Sequence, residues 1–221
     1  MRAVVLDTET TGIIEPDVIE LAYVYMDSPR DEKHTVVKHY FKPRKHIELG
    51  AMATHHIIDD DLKDCPLWAG SWSLPESADY LVGHSIDYDW QAIGRPDIKR
   101  ICTLAMARRI YPSIDSHSLV AMMYHLYPHG LARGLVTKAH SAFADVDNTQ
   151  RLLFALLQAI PNAQTWEDVW QFSEKARIPT VLAFGKHKGT PIKDVPPDYK
   201  RWLLKQDDVD QYLRQALDGE K

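Results

Sequence analysis

A chain of 221 residues, 45% hydrophobic and 26% charged, can bury one sizeable core with an appendage, or two small ones. No apolar run approaches the roughly 20 residues that span a bilayer, so no membrane partner is expected, and Asp7 and Glu9 break the first apolar run too early for a signal peptide. The net charge of −5 argues against a long groove gripping many duplex phosphates, but not against a protein that holds one chain end through cations. Cys65 and Cys102 lack metal-ligand spacing and read as free thiols in a reducing compartment, so a cytoplasmic location is expected.

The first element is the short apolar run Ala3–Leu6, a buried strand that ends on Asp7. Residues two apart share a strand face, so Asp7 and Glu9 point the same way. Two carboxylates on one face repel unless something positive lies between them. Hard oxygen ligands of this kind suit magnesium or manganese. Taken alone, the segment also fits a strand end running into a polar turn with both acids in solvent. Gly12 closes it.

Val18–Tyr25 is rich in strand formers, and its Glu20 alternates poorly with its neighbours, as in a central strand covered on both faces. After a turn at Asp27–Arg30, His34–Phe41 reads as a third strand. Three strands joined by short connections suggest an antiparallel meander. A helical phase follows, with Glu48–His56 as a short helix and Asp59–Asp61 as an acid-rich helix entry. Cys65–Ser77 reads as irregular cover. Tyr80–Gly83 is a short buried strand that runs into His84-Ser85-Ile86-Asp87-Tyr88-Asp89-Trp90, bringing two more acids.

Ile98–Cys102 reads as another strand, with Thr103 as the cap of a helix that ends before Pro112. Ser116 or His117 opens a helix through Leu126, stopped by Pro128 and Gly130, and Leu131–Ala139 reads as a loop. His140 precedes a strong helix, Ala144–Ile160, whose apolar face includes Val146, Leu152, Leu153, Ala155, Leu156 and Leu157. Asp145 and Asp147 lie in its first turn, where the helix dipole alone would favour acids. Trp166–Ala176 reads as a further helix. From Pro179 a compact module is expected: a strand Thr180–Phe184, a turn Gly185–Thr190, and helices near Tyr199–Leu204 and Asp208–Leu217. Lys186, Lys188, Lys193, Lys200, Arg201 and Lys205 make it basic, either to touch a nucleic-acid backbone or as a solvated face. The expected division is 1–162, a connecting segment 163–178, and the module 179–221.

The acids form an ordered pattern. Asp7-Thr8-Glu9 closes the first strand, Asp89 starts a helix after a later strand, and His140-Ser141-Ala142-Phe143-Ala144-Asp145 opens the long helix. This resembles the DEDD superfamily of 3′→5′ exonucleases, in its histidine subgroup, with D-x-E, F-D and H-x-A-x-x-D motifs in that order. The first and third motifs match in full. The second departs from the usual H-N-x-x-F-D: Ser85 stands for the asparagine and Tyr88 for the phenylalanine, and the register makes Asp89 rather than Asp87 the ligand. Within the superfamily the chain is similar to the exodeoxyribonuclease X enzymes. That likeness is carried by Ala51-Met52-Ala53-Thr54-His55-His56-Ile57, by Cys102-Thr103 through Arg108-Arg109 to Pro112, and by Phe184-Gly185-Lys186-His187-Lys188-Gly189 with Tyr199-Lys200-Arg201-Trp202-Leu203.

The resemblance implies an α/β, ribonuclease H-like fold, a mixed sheet flanked by helices, over about the first 160 residues, with a small α+β module behind it. It implies metal-dependent hydrolysis of DNA from 3′ ends with release of 5′-nucleoside monophosphates. Two Mg²⁺ ions, replaceable by Mn²⁺, would be held by Asp7 as the bridge and by Glu9, Asp145 and Asp89. Two such cations would offset about 4 of the negative charges. His140 would be the general base, since an imidazole titrates near neutrality. The terminal nucleotide would lie on the Thr10-Thr11-Gly12 backbone, with Ile13 and Ile14 either packing on its base or filling core. His84 and Ser85 are further substrate-side candidates. His55 and His56 lack paired zinc spacing and read as local packing or substrate-side residues. Expected partners are single- or double-stranded DNA with a 3′ end and a homodimer mate. RNA stays open, because these residues do not read the 2′-hydroxyl. A polymerase-associated proofreading subunit or a binding module is the rival reading; the complete acid set argues against a module without activity, and the tail resembles that of the exodeoxyribonuclease X enzymes more than a polymerase-binding segment.

Overall fold

In a computed structural model that describes residues 1–31, 35–69, 71–137 and 139–219, five strands form one mixed sheet. They are β1 (Ala3–Thr10), β2 (Val18–Met26), β3 (Val37–Tyr40), β4 (Tyr80–Gly83) and β5 (Lys99–Cys102), in the order β3-β2-β1-β4-β5. β1, β2 and β3 pair antiparallel, while β4 runs parallel to both β1 and β5. The central strands are covered on both faces, which is why Ala3–Leu6 and Val18–Ala22 read as nearly unbroken apolar runs. The meander expected of the first three strands is present. The expected start of β3 at His34 lies outside the described residues.

Helices supply the crossovers and cover the faces. α1 (Leu49–His55) and a 3₁₀ turn (Asp59–Leu62) lie between β3 and β4, and α2 (Asp87–Ala92) carries the chain from β4 to β5. Then come α3 (Thr103–Ile110), α4 (Leu119–Leu126), α5 (His129–Val136) and α6 (Ala142–Ala159). The main core joins Ala3 and Val5 of β1, Ala22 and Val24 of β2, and Val82 and Ile101 to Val146, Leu152, Leu153, Leu156 and Leu157 of α6. Strand alternation carries that face onward from Val5 to Asp7 and Glu9. The face that binds α6 by hydrophobic burial therefore turns acidic near the helix's N-terminal end.

Three expectations are corrected here. Leu131–Ala139 is not a loop: α5 occupies most of it, with Ala132 buried, because Pro128 sits just before the helix start and not as a stop. Thr103 is not a cap but the first residue of α3, and its hydroxyl donates to the Gly83 carbonyl at 3.2 Å. α4 begins at Leu119, capped by the Ser118 hydroxyl, which accepts from the Ala121 amide.

The chain separates into two compact units, Met1–Ser173 and Glu174–Lys221, and the division falls inside α7 (Trp166–Arg177). Trp166 and Val169 belong to the first unit's core, and the Ser173 hydroxyl accepts from the Cys102 amide at 2.8 Å. The second unit has its own small core of Leu182, Ile192, Val195, Leu203, Val209, Leu213 and Leu217, with α8 (Pro197–Leu203) and α9 (Gln211–Asp218). The Asp210 carboxylate caps α9, accepting from the Tyr212 and Leu213 amides. The strand expected at Thr180–Phe184 is reduced to a single bridge between Val181 and Pro191. The Leu182 and Ile192 amides donate to the Thr190 and Thr180 carbonyls at 2.9 Å on either side of it, and the Gly189 amide closes the turn onto the Leu182 carbonyl at 2.8 Å.

Candidate active site and metal centre

Asp7, Thr8, Glu9, His84, Ser85, Tyr88, Asp89, His140 and Asp145 line a cleft of about 440 Å³. Asp7 and Glu9 reach it from the end of β1, Asp89 from the first turn of α2, and Asp145 from the first turn of α6. One carboxylate oxygen from each of Asp7, Glu9 and Asp145 lies within 4.8 Å of the others. Asp89 is held differently. Its Oδ1 accepts from the Thr8 amide at 3.0 Å and the Thr8 hydroxyl at 2.7 Å, which fixes it beside the trio. Asp87 points elsewhere and pairs with Arg100.

Burial crowds these charges together. It raises Asp7 well above the usual carboxylate range, and the negative charges of Asp89, Asp145 and Glu9 push it further. Burial, then Asp145 and Glu20, lift Glu9 to about 8. Asp89 is pushed up to about 7 by burial, against the two hydrogen bonds from Thr8. Burial raises Asp145 too, opposed by its contact with His140. A set of converging, half- to fully buried carboxylates with no cation among them is electrostatically unfavourable. Hard oxygen donors at this spacing fit Mg²⁺ or Mn²⁺, and positive charge between them would remove the penalty.

His140 stands exposed at the rim of the cleft, with a left-handed backbone (φ 65°). Its amide donates to Asp145 Oδ2 at 3.3 Å, tying the residue before α6 to the acid within it. The imidazole is thereby left clear of its own backbone contact and open to solvent.

The turn after β1 is closed on itself. The Thr11 amide donates to the Asp17 carbonyl at 3.0 Å, and the Asp17 amide donates to the Thr11 hydroxyl at 3.0 Å. Asp17 is buried and paired with Arg44, which lowers its pKa, and the Lys45 ammonium donates to the Ile14 carbonyl at 2.7 Å. Thr10 and Thr11 are buried, and the Thr11 carbonyl accepts from the Glu48 amide at 2.8 Å, so the turn is held by its own protein partners. Ile13 and Ile14 are 82% and 77% exposed, which removes the core-filling alternative for both. At Gly12 a Cβ would collide with the Glu48 carboxylate, so the glycine admits Glu48.

Two of the substrate-side candidates, His55 and His84, are engaged by partners within the protein. His55 is buried, its Nε2 lying 3.3 Å from the Thr10 carbonyl while its Nδ1 accepts from the Ile57 amide at 3.0 Å. It straps α1 beneath the turn and keeps no nitrogen for a ligand. His84 has Nε2 at 2.9 Å from the His117 carbonyl and Nδ1 at 3.1 Å from the Thr103 hydroxyl. Burial lowers it to about 4, so it is a neutral strut in the cleft wall. Ser85, beside it, is exposed with φ 71°.

Two residues went unrecognised in the sequence. The Tyr88 hydroxyl donates to the Gly12 carbonyl at 2.8 Å and bonds the Thr10 hydroxyl, so it joins α2 to the turn. The departure from phenylalanine at this position was the available signal. Glu20 is the second. It lies directly across from Glu9 in the sheet, fully buried. It accepts from the Ser141 hydroxyl at 3.3 Å and from the Ala142 and Phe143 amides, with the Lys38 ammonium 3.9 Å away. Ser141 makes no side-chain cap of its own, so a strand glutamate caps α6. That fixes the helix end carrying Asp145 to the strand beside Glu9. Glu20→Ala should lower stability by about 1–2 kcal/mol, the loss of a helix cap, and depress kcat with it. Glu20→Gln, whose amide oxygen still accepts, should keep most of both. Equal denaturation midpoints for the two variants would contradict this role.

Residues 4–153 match the protein family described as Exonuclease (RNase_T). The chain is 26% identical over 203 residues to exodeoxyribonuclease 10 of Escherichia coli strain K12, covering 90% of this chain and 89% of that protein. It is similar to the solved structure of exonuclease X in complex with 5′-overhanging duplex DNA, at 24% identity and a TM-score of 0.62, over 77% of this chain and 99% of that one. It is also similar to the zinc-bound complex of Escherichia coli exonuclease I with single-stranded DNA, at 15% identity and a TM-score of 0.58, over 80% of this chain and 43% of that one. At these identities the structural likenesses speak for the fold: a mixed sheet flanked by helices, of the ribonuclease H-like kind.

Proposed function

Because the chain belongs to the exonuclease family, as a DEDD 3′→5′ exonuclease, we propose that it removes nucleotides one at a time from the 3′ end of DNA, releasing nucleoside 5′-monophosphates. The observation that carries this reading is the meeting of Asp7, Glu9 and Asp145 oxygens, from a strand end and a helix start, with His140 at the rim. The similarity to exodeoxyribonuclease 10 over most of both chains supports DNA as the substrate.

Asp7, Glu9 and Asp145, with Asp89 beside them, would hold two divalent cations, Mg²⁺ or Mn²⁺. Such ions, when bound, lower the pKa of water and neutralise charge on the phosphate being cut. The chain's own residues do the rest. His140 takes the proton from the attacking water, a contribution of about 10²–10⁴-fold for a placed general base. Asp145, through the His140 amide, keeps that base at the helix entry. The Thr10–Gly12 backbone receives the terminal nucleotide, and the exposed Ile13 packs on its base. Tyr88 and Asp17 hold this turn in shape from either side.

The test uses single-stranded DNA, duplex DNA and RNA labelled at the 5′ end, incubated with the protein in magnesium, manganese or EDTA. The expected result is progressive shortening from the 3′ end of DNA, with 5′-monophosphate products, only when metal is present. Asp145→Ala protein should be inert. Internal cuts, 3′-phosphate products or undiminished activity in EDTA would overturn the reading. Preferential digestion of RNA would move the substrate class and keep the chemistry.

A further inference from the structure

The C-terminal unit exposes an aromatic and basic face that the catalytic reading does not use. Its turn at 184–189 is drawn onto α8: Gly185 has φ 70°, and a Cβ there would lie 2.5 Å from the Tyr199 hydroxyl. The His187 ring meets Tyr199 edge-on with centroids 4.6 Å apart, and Tyr199 lies 5.2 Å from Trp202. Trp202 is 51% and Phe184 47% exposed. Neither is outside for want of a core, since the nearby Leu182 and Leu203 fill it. Lys186 and Lys188, which flank His187 in the chain, and Arg201, which precedes Trp202, are exposed. From Thr180 to Lys205 six lysines and arginines stand against two aspartates, in a chain whose net charge is −5.

Half-exposed rings beside lysines complement a ligand that carries both planar apolar faces and regularly spaced negative charge. Bases stack on aromatic side chains without regard to sequence, and phosphates meet the cations. A strictly apolar peptide groove would not need the charge, and a purely electrostatic phosphate contact would not need the rings. We propose that this face is a second nucleic-acid-binding surface, which stacks on bases of single-stranded nucleic acid beyond those held in the catalytic cleft. The proposal rests on the nuclease reading for its choice of polymer.

The test is read in EDTA, where binding is separated from cleavage. Fluorescence anisotropy is measured on the full chain with labelled oligothymidylates of roughly 2 and roughly 20 nucleotides, lengths below and above a stacking site of about 4–16 nucleotides. Trp202→Ala should weaken binding of the longer strand by about tenfold or more and leave the shorter one unchanged. Trp202→Phe should retain most of the affinity. Lys186→Glu with Lys188→Glu should flatten the salt dependence of the longer strand by about 0.7 for each phosphate no longer neutralised. In magnesium, Trp202→Ala should raise KM for the longer strand at unchanged kcat. Unchanged affinity for the longer strand in the alanine and charge-reversal variants would overturn the proposal. So would equal weakening on both lengths, or a phenylalanine variant as weak as the alanine one. An Asp145→Ala protein that still cleaved would instead sink the catalytic reading and leave this binding measurement standing.

Discussion

Asp7→Asn should lower kcat by at least about 10³-fold, equivalent to the several kcal/mol that charge stabilisation by bound cations supplies, and yet raise the melting temperature of the metal-free protein. The two effects have one cause. Asp7 is half-buried among Asp89, Asp145 and Glu9, and its pKa is raised by desolvation and by those charges. A carboxylate whose folded pKa exceeds its unfolded value, about 3.9 for Asp, takes up protons on folding. Its contribution is fully present below the unfolded pKa and is lost as pH rises through the folded one. Asparagine carries no such loss. The stability gap between variant and wild type should therefore be small near pH 4 and widen as pH rises. Glu9 at about 8 and Asp89 at about 7 add to the same trend, so wild-type stability in EDTA should decline from about pH 4 to 8. Magnesium or manganese should reverse that decline and release protons on binding. Calorimetry across this range, with and without metal, reads both signs. A metal-free protein that grew more stable toward pH 8 would contradict the charge crowding inferred for the site.

The second large effect concerns His140. His140→Asn should reduce kcat by about 10²–10⁴-fold, the span for loss of a general base, while leaving stability within about 0.5 kcal/mol, as for other exposed positions. Asparagine is the suitable replacement because it tolerates the left-handed backbone that His140 adopts. The amide that bonds Asp145 is kept, so the carboxylates stay in place. The opening toward solvent also makes the variant a candidate for rescue, since imidazole added in solution has access to the rim. Single-turnover rates with saturating DNA, with and without imidazole, separate a defect in proton transfer from a defect in binding. Activity within about tenfold of wild type would remove His140 from the mechanism.

Much of the catalytic cleft was legible in the chain because its information is local. The period of two put Asp7 and Glu9 on one strand face, and the H-x-A-x-x-D spacing put His140 and Asp145 at one helix entry. The apolar periodicity of α6 marked the helix that packs on β1. The misreadings were local as well. The helix α5 was hidden by Pro128 and Gly130, which read as breakers when one lies just before the helix and the other within its first turn. The segment Thr180–Phe184 had the residues of a strand, but pairing stops at Leu182, where the Gly189 amide already closes the turn onto its carbonyl.

What the sequence by itself determined was which acids exist, on which element ends they stand, and that they follow the DEDD order. What only the tertiary structure decided was who neutralises, caps and props them. Glu20 and Ser141 meet across 121 positions of chain, and Tyr88 reaches Gly12 across 76. His55 and His84 spend their ring nitrogens on backbone and hydroxyl partners that no motif names. The reason is physical: hydrogen-bond partners of buried polar groups are chosen by packing in three dimensions, while only spacing along one element is written into its own few residues.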